Sequence, residues 1–269
     1  MSAMAEVAAP RTSMNLVRWV GFKTIVIREY GRIIRIWAQT IVPSVVTAVL
    51  YFAIFGSLIG RRVGVMGGFD YRQYIAPGLI MMSVITNSYG NVVASFFGAK
   101  FGKHVEELLV APLPNWLIIA GYAVGGLVRG LLVGVAVTIV SLVFTHLHVK
   151  HPLLVIGALL LTSVTFALAG FLNALYAKNF DQVNWIPAFV LTPLTYFGGV
   201  FYSISLLPEW ARQLSFANPI LYMVNAFRYG FLGVSDVHVG GAFALMVGAA
   251  SLLFAACVSL MNRGTGIRE

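Results

Sequence analysis

The chain has 269 residues, 59% of them hydrophobic and only 10% charged, with a net charge of +9. Soluble domains carry about 25% charged residues, so the composition excludes an ordinary water-soluble globular fold. The basic excess does not indicate nucleic acid as a partner. Lys and Arg flank apolar runs, and nothing resembles a basic domain with base-stacking aromatics.

The first 15 residues lack the apolar core of a cleavable signal peptide, and none is expected. Residues 14–37 then read as an amphipathic helix. On a helical wheel Arg18, Arg28, Glu29, Arg32 and Arg35 share an arc of about 120°, with Lys23 outside it. Trp19, Val26, Tyr30, Ile33 and Trp37 occupy the other face. This predicts a helix lying in the headgroup region of a bilayer, its cations near anionic lipid.

Residues 36–60, 73–99, 152–177, 182–208 and 237–262 contain no Asp, Glu, Lys or Arg, and 115–144 is interrupted only by Arg129. Each run exceeds the roughly 20 residues needed to cross a hydrocarbon core. The expected fold is therefore an all-α polytopic membrane protein with a transmembrane domain over 36–262. Its six transmembrane helices are predicted at about 36–60, 73–99, 115–144, 152–177, 182–207 and 237–262. Six spans place eleven Lys and Arg on the N-terminal side and six on the other, which predicts that both termini are cytoplasmic.

In the second span Ser83, Asn87, Asn91 and Ser95 recur every fourth residue, with Ser88 beside them. That polar stripe lines either a translocation path or a packed helix face. The segment "HVEELLVAPLP", 104–114, follows. Glu106 and Glu107 favour a helix start, Leu108 and Leu109 give it an apolar face, and Pro112 and Pro114 end it. A short rigid knob at the membrane surface is predicted.

Arg129 lies mid-span and must face protein or a water-filled cavity. Carbonyls or Asn173 hold it, or it meets an anionic cargo group. Gly126, Gly130 and Gly134 beside it form a ridge for close helix packing. His146, His148 and His151 sit in one loop without a nearby carboxylate, and a solvated loop is favoured over a metal site. Pro187 and Pro193 bend the fifth span, where Thr192, Thr195, Tyr196 and Phe197 offer a mixed wall. Residues 206–233 are broken by Pro219 and read as two short elements on the outer side, as short re-entrant helices do. Cys257, the single cysteine, reads as a packing residue and rules out an intramolecular disulfide.

No P-loop is present; "GAKFGKH" has one residue too few between glycines and ends in His. The spans hold no Asp or Glu for ion coupling, which weighs against a secondary transporter. Neither HExxH nor GxSxG supports an intramembrane enzyme.

The stretches "IVPSVVTAVLYFAIFGSLIG", "YIAPGLIMMSVITNSYGNVVASFFGAKF", "VEELLVAPLP", "FVLTPLTYFGGVFYSISLLPEW" and "NPILYMVNAFRYGFLG" together resemble the type-2 permeases of ATP-binding-cassette exporters. The resemblance covers essentially the whole chain. It implies that 100–114 is a cytoplasmic coupling helix seated in a separate ATPase, with Glu106 and Glu107 at its acidic start. It implies outer re-entrant helices at 206–233, carried by Leu207, Pro208, Trp210, Asn218 and Pro219. The second and fifth spans would meet a second copy at a dimer midline. The unit implied is two copies of this chain with two ATPase chains in a bacterial inner membrane. ATP and magnesium would sit on the ATPase, with no cofactor on this chain and the cargo unspecified.

Overall fold

The computed structural model describes residues 14–266; Arg11 and Arg268, which entered the charge count, lie outside them. Helix α1 (Met14–Arg35) leads through Ile36 into α2 (Trp37–Tyr51). The winding then loosens to i→i+5 over Phe52–Ile59 before α3 (Gly60–Val63). From Trp37 to Val63 these pieces form one 27-residue rod. Arg72 Nε donates to the Gly56 carbonyl at 3.0 Å, placing a donor inside the loosened turn.

The chain next makes a two-stranded hairpin, β1 (Val65–Met66) against β2 (Phe69–Asp70), with Val65 opposite Asp70 and Met66 opposite Phe69. Gly67 and Gly68, at φ of 59° and 84°, form its turn; a two-residue turn with both φ positive selects glycine. The chain is thus mostly helical, as the all-α class expects, with one small hairpin whose Gly-Gly turn is present in the sequence.

Helix α4 (Tyr71–Phe101) is the centre of the bundle and packs most extensively on α6 (Asn115–Phe144) and α7 (Pro152–Tyr176). Between α4 and α6 lies the short α5 (His104–Val110). The Gly126–Gly130–Gly134 ridge is buried against α4 and α7. A Cβ on Gly126 would stand 2.7 Å from both Ala167 Cβ and Val92 Cγ2. Glycine there permits close helix approach, which is how helices associate where water gives no hydrophobic drive.

The expected fifth span needs correction. It is built of α8 (Phe180–Ile186), an i→i+5 segment (Pro187–Leu191) and α9 (Thr192–Tyr196), of seven, five and five residues. Asn179 accepts from the Gln182 N–H and starts it earlier than residue 182. Past Phe197 the chain reverses at Gly199, φ 71°, so the helix stops well before residue 207. Among the described residues, five helices are long and apolar enough to cross a membrane. They are Trp37–Val63, α4, α6, α7 and α12 (Val239–Asn262). Between the fifth segment and α12 stand a 3-10 turn (Ile204–Leu206), α10 (Glu209–Phe216) and α11 (Pro219–Leu232). Asn218 caps α11 and Pro219 occupies its first turn, where no N–H is needed.

Contacts sort the connections into two ends. At one end α1 meets residue 113, Lys100 Nζ donates to the Leu175 and Ala177 carbonyls, and Asn115 Nδ2 donates to Asn262 Oδ1 at 2.7 Å. The hairpin, the 145–151 connection, residues 199–206 and the end of α11 gather at the other. There Gln73 Nε2 donates to the His146 carbonyl and the His151 N–H to the Gly230 carbonyl.

Candidate functional site

The knob at the first end is built by backbone geometry. Lys103, at φ 60°, is the one non-glycine residue with positive φ among the described residues, and it turns the chain sharply out of α4. Val105 is buried and anchors α5, while Glu106 and Glu107 are exposed. Leu108 is half-buried, Leu109 exposed, and Val110 is 87% exposed. Ala111 is extended, as a residue before proline prefers, and Pro114 stands immediately before α6. Pro112 and Pro114 therefore bracket a rigid exit. Leu113 lies against α1: a Cβ on Gly21 would sit 2.5 Å from Leu113 Cδ2. Leu16, Val17, Val20, Ala111 and Pro112 line an apolar groove of about 330 Å³ between them, so α1 and the knob form one platform.

The polar stripe of α4 meets two different neighbours. Ser83 Oγ donates to its own helix at Leu79 O, and Asn87 Nδ2 donates to Ser44 Oγ at 3.0 Å. Lower down, Asn91 Oδ1 accepts from Arg32 Nη2 at 2.7 Å, and Ser95 Oγ donates to Glu29 Oε1. Glu29 and Arg32 are themselves paired at 2.9 Å, and Glu29 is only 1% exposed. The headgroup reading of α1 is corrected accordingly. Part of its polar arc turns inward onto α4, and Arg28 Nη2 donates to Tyr122 Oη at 2.6 Å. Trp19, Ile27, Tyr30 and Trp37 are left exposed on the other side. The reason is partner supply: Asn91 and Ser95 offer a buried carboxylate and guanidinium better company than lipid.

Arg129 is held by Asn87 Oδ1 at 3.3 Å, not by Asn173, whose amide donates to the Val183 carbonyl. In the fifth segment Thr192 is exposed and donates to Pro187 O, whereas Thr195 is buried and donates to Leu191 O. Thr195 thus faces packed protein in this structure. The hydroxyls of Tyr196 and Tyr51 are 3.0 Å apart, and Tyr196 stacks on Phe201. Tyr196 and Phe201, with Phe55, Phe197 and Tyr202, surround an open cavity of about 300 Å³. On the short helices Leu207 is half-buried, Pro208 and Trp210 are exposed, and Asn218 Nδ2 donates to Leu194 O. The three loop histidines do not converge. His151 stacks on Tyr229, and no group of three metal-ligand side chains occurs among the described residues.

Sequence reasoning missed Arg228. It is fully buried, its guanidinium lies 4.1 Å from the Tyr74 ring centre, and Nη2 donates to Gly199 O at 2.6 Å and to Val200 O. Nε reaches Tyr74 O at 3.3 Å. Burial pulls its pKa down from the ordinary arginine value, while Tyr74 and Asp236 oppose that shift. Asp236 completes the clasp by accepting from Ser203 Oγ at 2.7 Å and from the Ile204 N–H. A lone Arg inside the apolar α11 was the available signal, of the same kind that marked Arg129.

A central helix with a rigid exposed knob at one end and a clasped pair of short helices at the other is the frame of a membrane permease. The chain belongs to the ABC-2 type transporter family, whose model matches residues 20–232. It is 55% identical over 251 residues to the inner membrane transport permease YadH of Escherichia coli strain K12, covering 93% of this chain and 98% of that one. More distant similarity reaches Nodulation protein J of Rhizobium leguminosarum bv. viciae, 23% identical over 75% of this chain and 80% of the relative. Nodulation protein J of Neorhizobium galegae is 22% identical over 97% of this chain and 98% of its own length. The chain is a membrane transport subunit of the ABC transporter class.

Proposed function

We propose that two copies of this chain and two copies of a separate cytoplasmic ATPase form an exporter in a bacterial inner membrane. ATP-driven closure of the ATPases is transmitted through α5. The observation that carries this reading is the knob: Glu106, Glu107, Leu109 and Val110 stand exposed on a short helix locked at both ends. Acidic and apolar groups projecting from a rigid support suit a protein cleft better than lipid or water. The chain has no P-loop, so ATP and magnesium belong to the partner. The first end, with α1 and α5, is cytoplasmic by the distribution of Lys and Arg, and α10 and α11 are re-entrant helices on the outer face. A second copy faces Thr86, Gly90, Ala94 and Gly98, a side of α4 that this chain leaves uncovered.

Glu106→Lys with Glu107→Lys is expected to weaken ATPase association about tenfold or more by reversing the knob's charge, with membrane insertion unchanged. Co-purification at graded salt measures it. Undiminished association in the double variant would refute the coupling role.

Orientation has its own test. A cysteine at the exposed Glu209, in a Cys257→Ala background, should react with an impermeant thiol reagent added outside intact spheroplasts. Reaction only after the membrane is opened would reverse the topology.

A further inference from the structure

Arg129 is a guanidinium of the α1–α4–α6 polar network with no acidic partner among the described residues; Arg28, the other, donates to the Tyr122 hydroxyl. Among the described residues Glu29 supplies the only carboxylate there, and Arg32 and Ser95 already occupy its two oxygens. Among the described residues Arg129 makes a single hydrogen bond, from Nε to Asn87 Oδ1 at 3.3 Å. Its two terminal nitrogens donate to no protein group, and neither is among the sealed polar atoms of the interior. A mid-span arginine with free donors needs a negative group to meet.

Open space adjoins its partner Asn87. Asn87 also lines a groove of about 170 Å³ between α2 and α4, together with Pro43, Ser44, Thr47, Met82 and Ser83. The hydroxyls of Ser44 and Ser83 donate back into their own helices, to Thr40 O at 3.3 Å and Leu79 O at 3.0 Å. The groove wall therefore presents mostly methylene and methyl surface, and Asn87 links it to the Arg129 guanidinium. Such a site holds an acyl chain along its length and an anion at one end.

We infer that Arg129, with Asn87 beside it, is an anion subsite within the membrane for the phosphate or carboxylate group of an amphiphile lying in the α2–α4 groove. The inference rests on the transport reading, in which that amphiphile is cargo, and it narrows the cargo to acidic molecules.

Native mass spectrometry of the purified full-length chain can test this without any ATPase. Phosphatidic acid and phosphatidylcholine of identical acyl chains are titrated separately, and inorganic phosphate is offered as competitor. The wild-type chain should favour phosphatidic acid about tenfold, Arg129→Gln should lose that preference, and Arg129→Lys should keep part of it. Thr47→Trp, which fills the groove from α2, should also abolish it and decides the matter if the Arg129 variants fold poorly. Efficient competition by inorganic phosphate would identify a soluble anion as the ligand of Arg129 and overturn the amphiphile. Equal binding of the two lipids by wild type, or an intact preference in Arg129→Gln or Thr47→Trp, would overturn the subsite itself. Loss of lipid preference leaves ATPase association untouched, so failure here is distinguishable from failure of the coupling reading.

Discussion

Arg228→Ala is expected to destabilise the protein by about 3–5 kcal/mol, the largest effect of any single substitution considered. The guanidinium is fully buried and is a donor to three backbone carbonyls, those of Tyr74, Gly199 and Val200. Its removal leaves those acceptors facing a cavity and takes the flat face off the Tyr74 ring, at 4.1 Å. The clasp matters because it binds four separate stretches: the start of α4, the reversal after α9, α11, and the 233–238 connection through Asp236. Arg228→Met restores much of the volume without the donors, so it should recover only a minor part of the loss. The thermal midpoint in a fixed detergent, followed by tryptophan fluorescence, reads both. A midpoint within a degree or two of wild type for Arg228→Ala would show the clasp to be dispensable.

Glu29→Ala should be nearly as damaging, by about 2–4 kcal/mol, and its effect should be local to α1. Glu29 is the acid that stabilises Arg32 inside the bundle, and Ser95 donates to its other oxygen. Without it Arg32 and Arg129 remain together with no carboxylate between them, and like charges of low solvation repel. Over Gly125, where a Cβ would lie 3.0 Å from Glu29 Cγ and Oε2, the space those atoms fill would also be emptied. Glu29→Gln keeps the shape and one acceptor and should cost roughly half as much. A disulfide between cysteines at Gly21 and Leu113, formed in the Cys257→Ala background, reports the docking of α1. Its yield should fall in Glu29→Ala and be intermediate in Glu29→Gln. Equal yields in all three would mean that α1 is held by its apolar contacts alone.

The helical membrane character was legible because charge-free runs are a composition signal that no tertiary context can mask. The knob was legible for a similar reason: two prolines and an acidic pair act on the backbone locally. What was lost lay in long-range partnership. The inward turn of Glu29 depends on Asn91 and Ser95, some 60 residues away, and a helical wheel drawn for α1 alone places it toward water or headgroups. Asn173, one of the partners expected for Arg129, gives way to Asn87 because the two are equivalent by residue type, and only packing distinguishes them. The fifth span ended early at a glycine with positive φ, which the sequence offers only as one of 27 glycines. Arg228 was one of the six Lys and Arg counted on the outer side, and that count carries no sign of its burial. Its true surroundings come from α4 and the Gly199 reversal.

The most direct test of the coupling role is ATP hydrolysis by the purified chain, first alone and then reconstituted with the ATP-binding-cassette ATPase that co-purifies with it. The chain alone should hydrolyse no ATP. The reconstituted complex should hydrolyse it in a manner that Glu106→Lys with Glu107→Lys abolishes. Hydrolysis unaffected by that double substitution, or the failure of any such ATPase to associate, would contradict the proposal that this membrane chain is driven through α5.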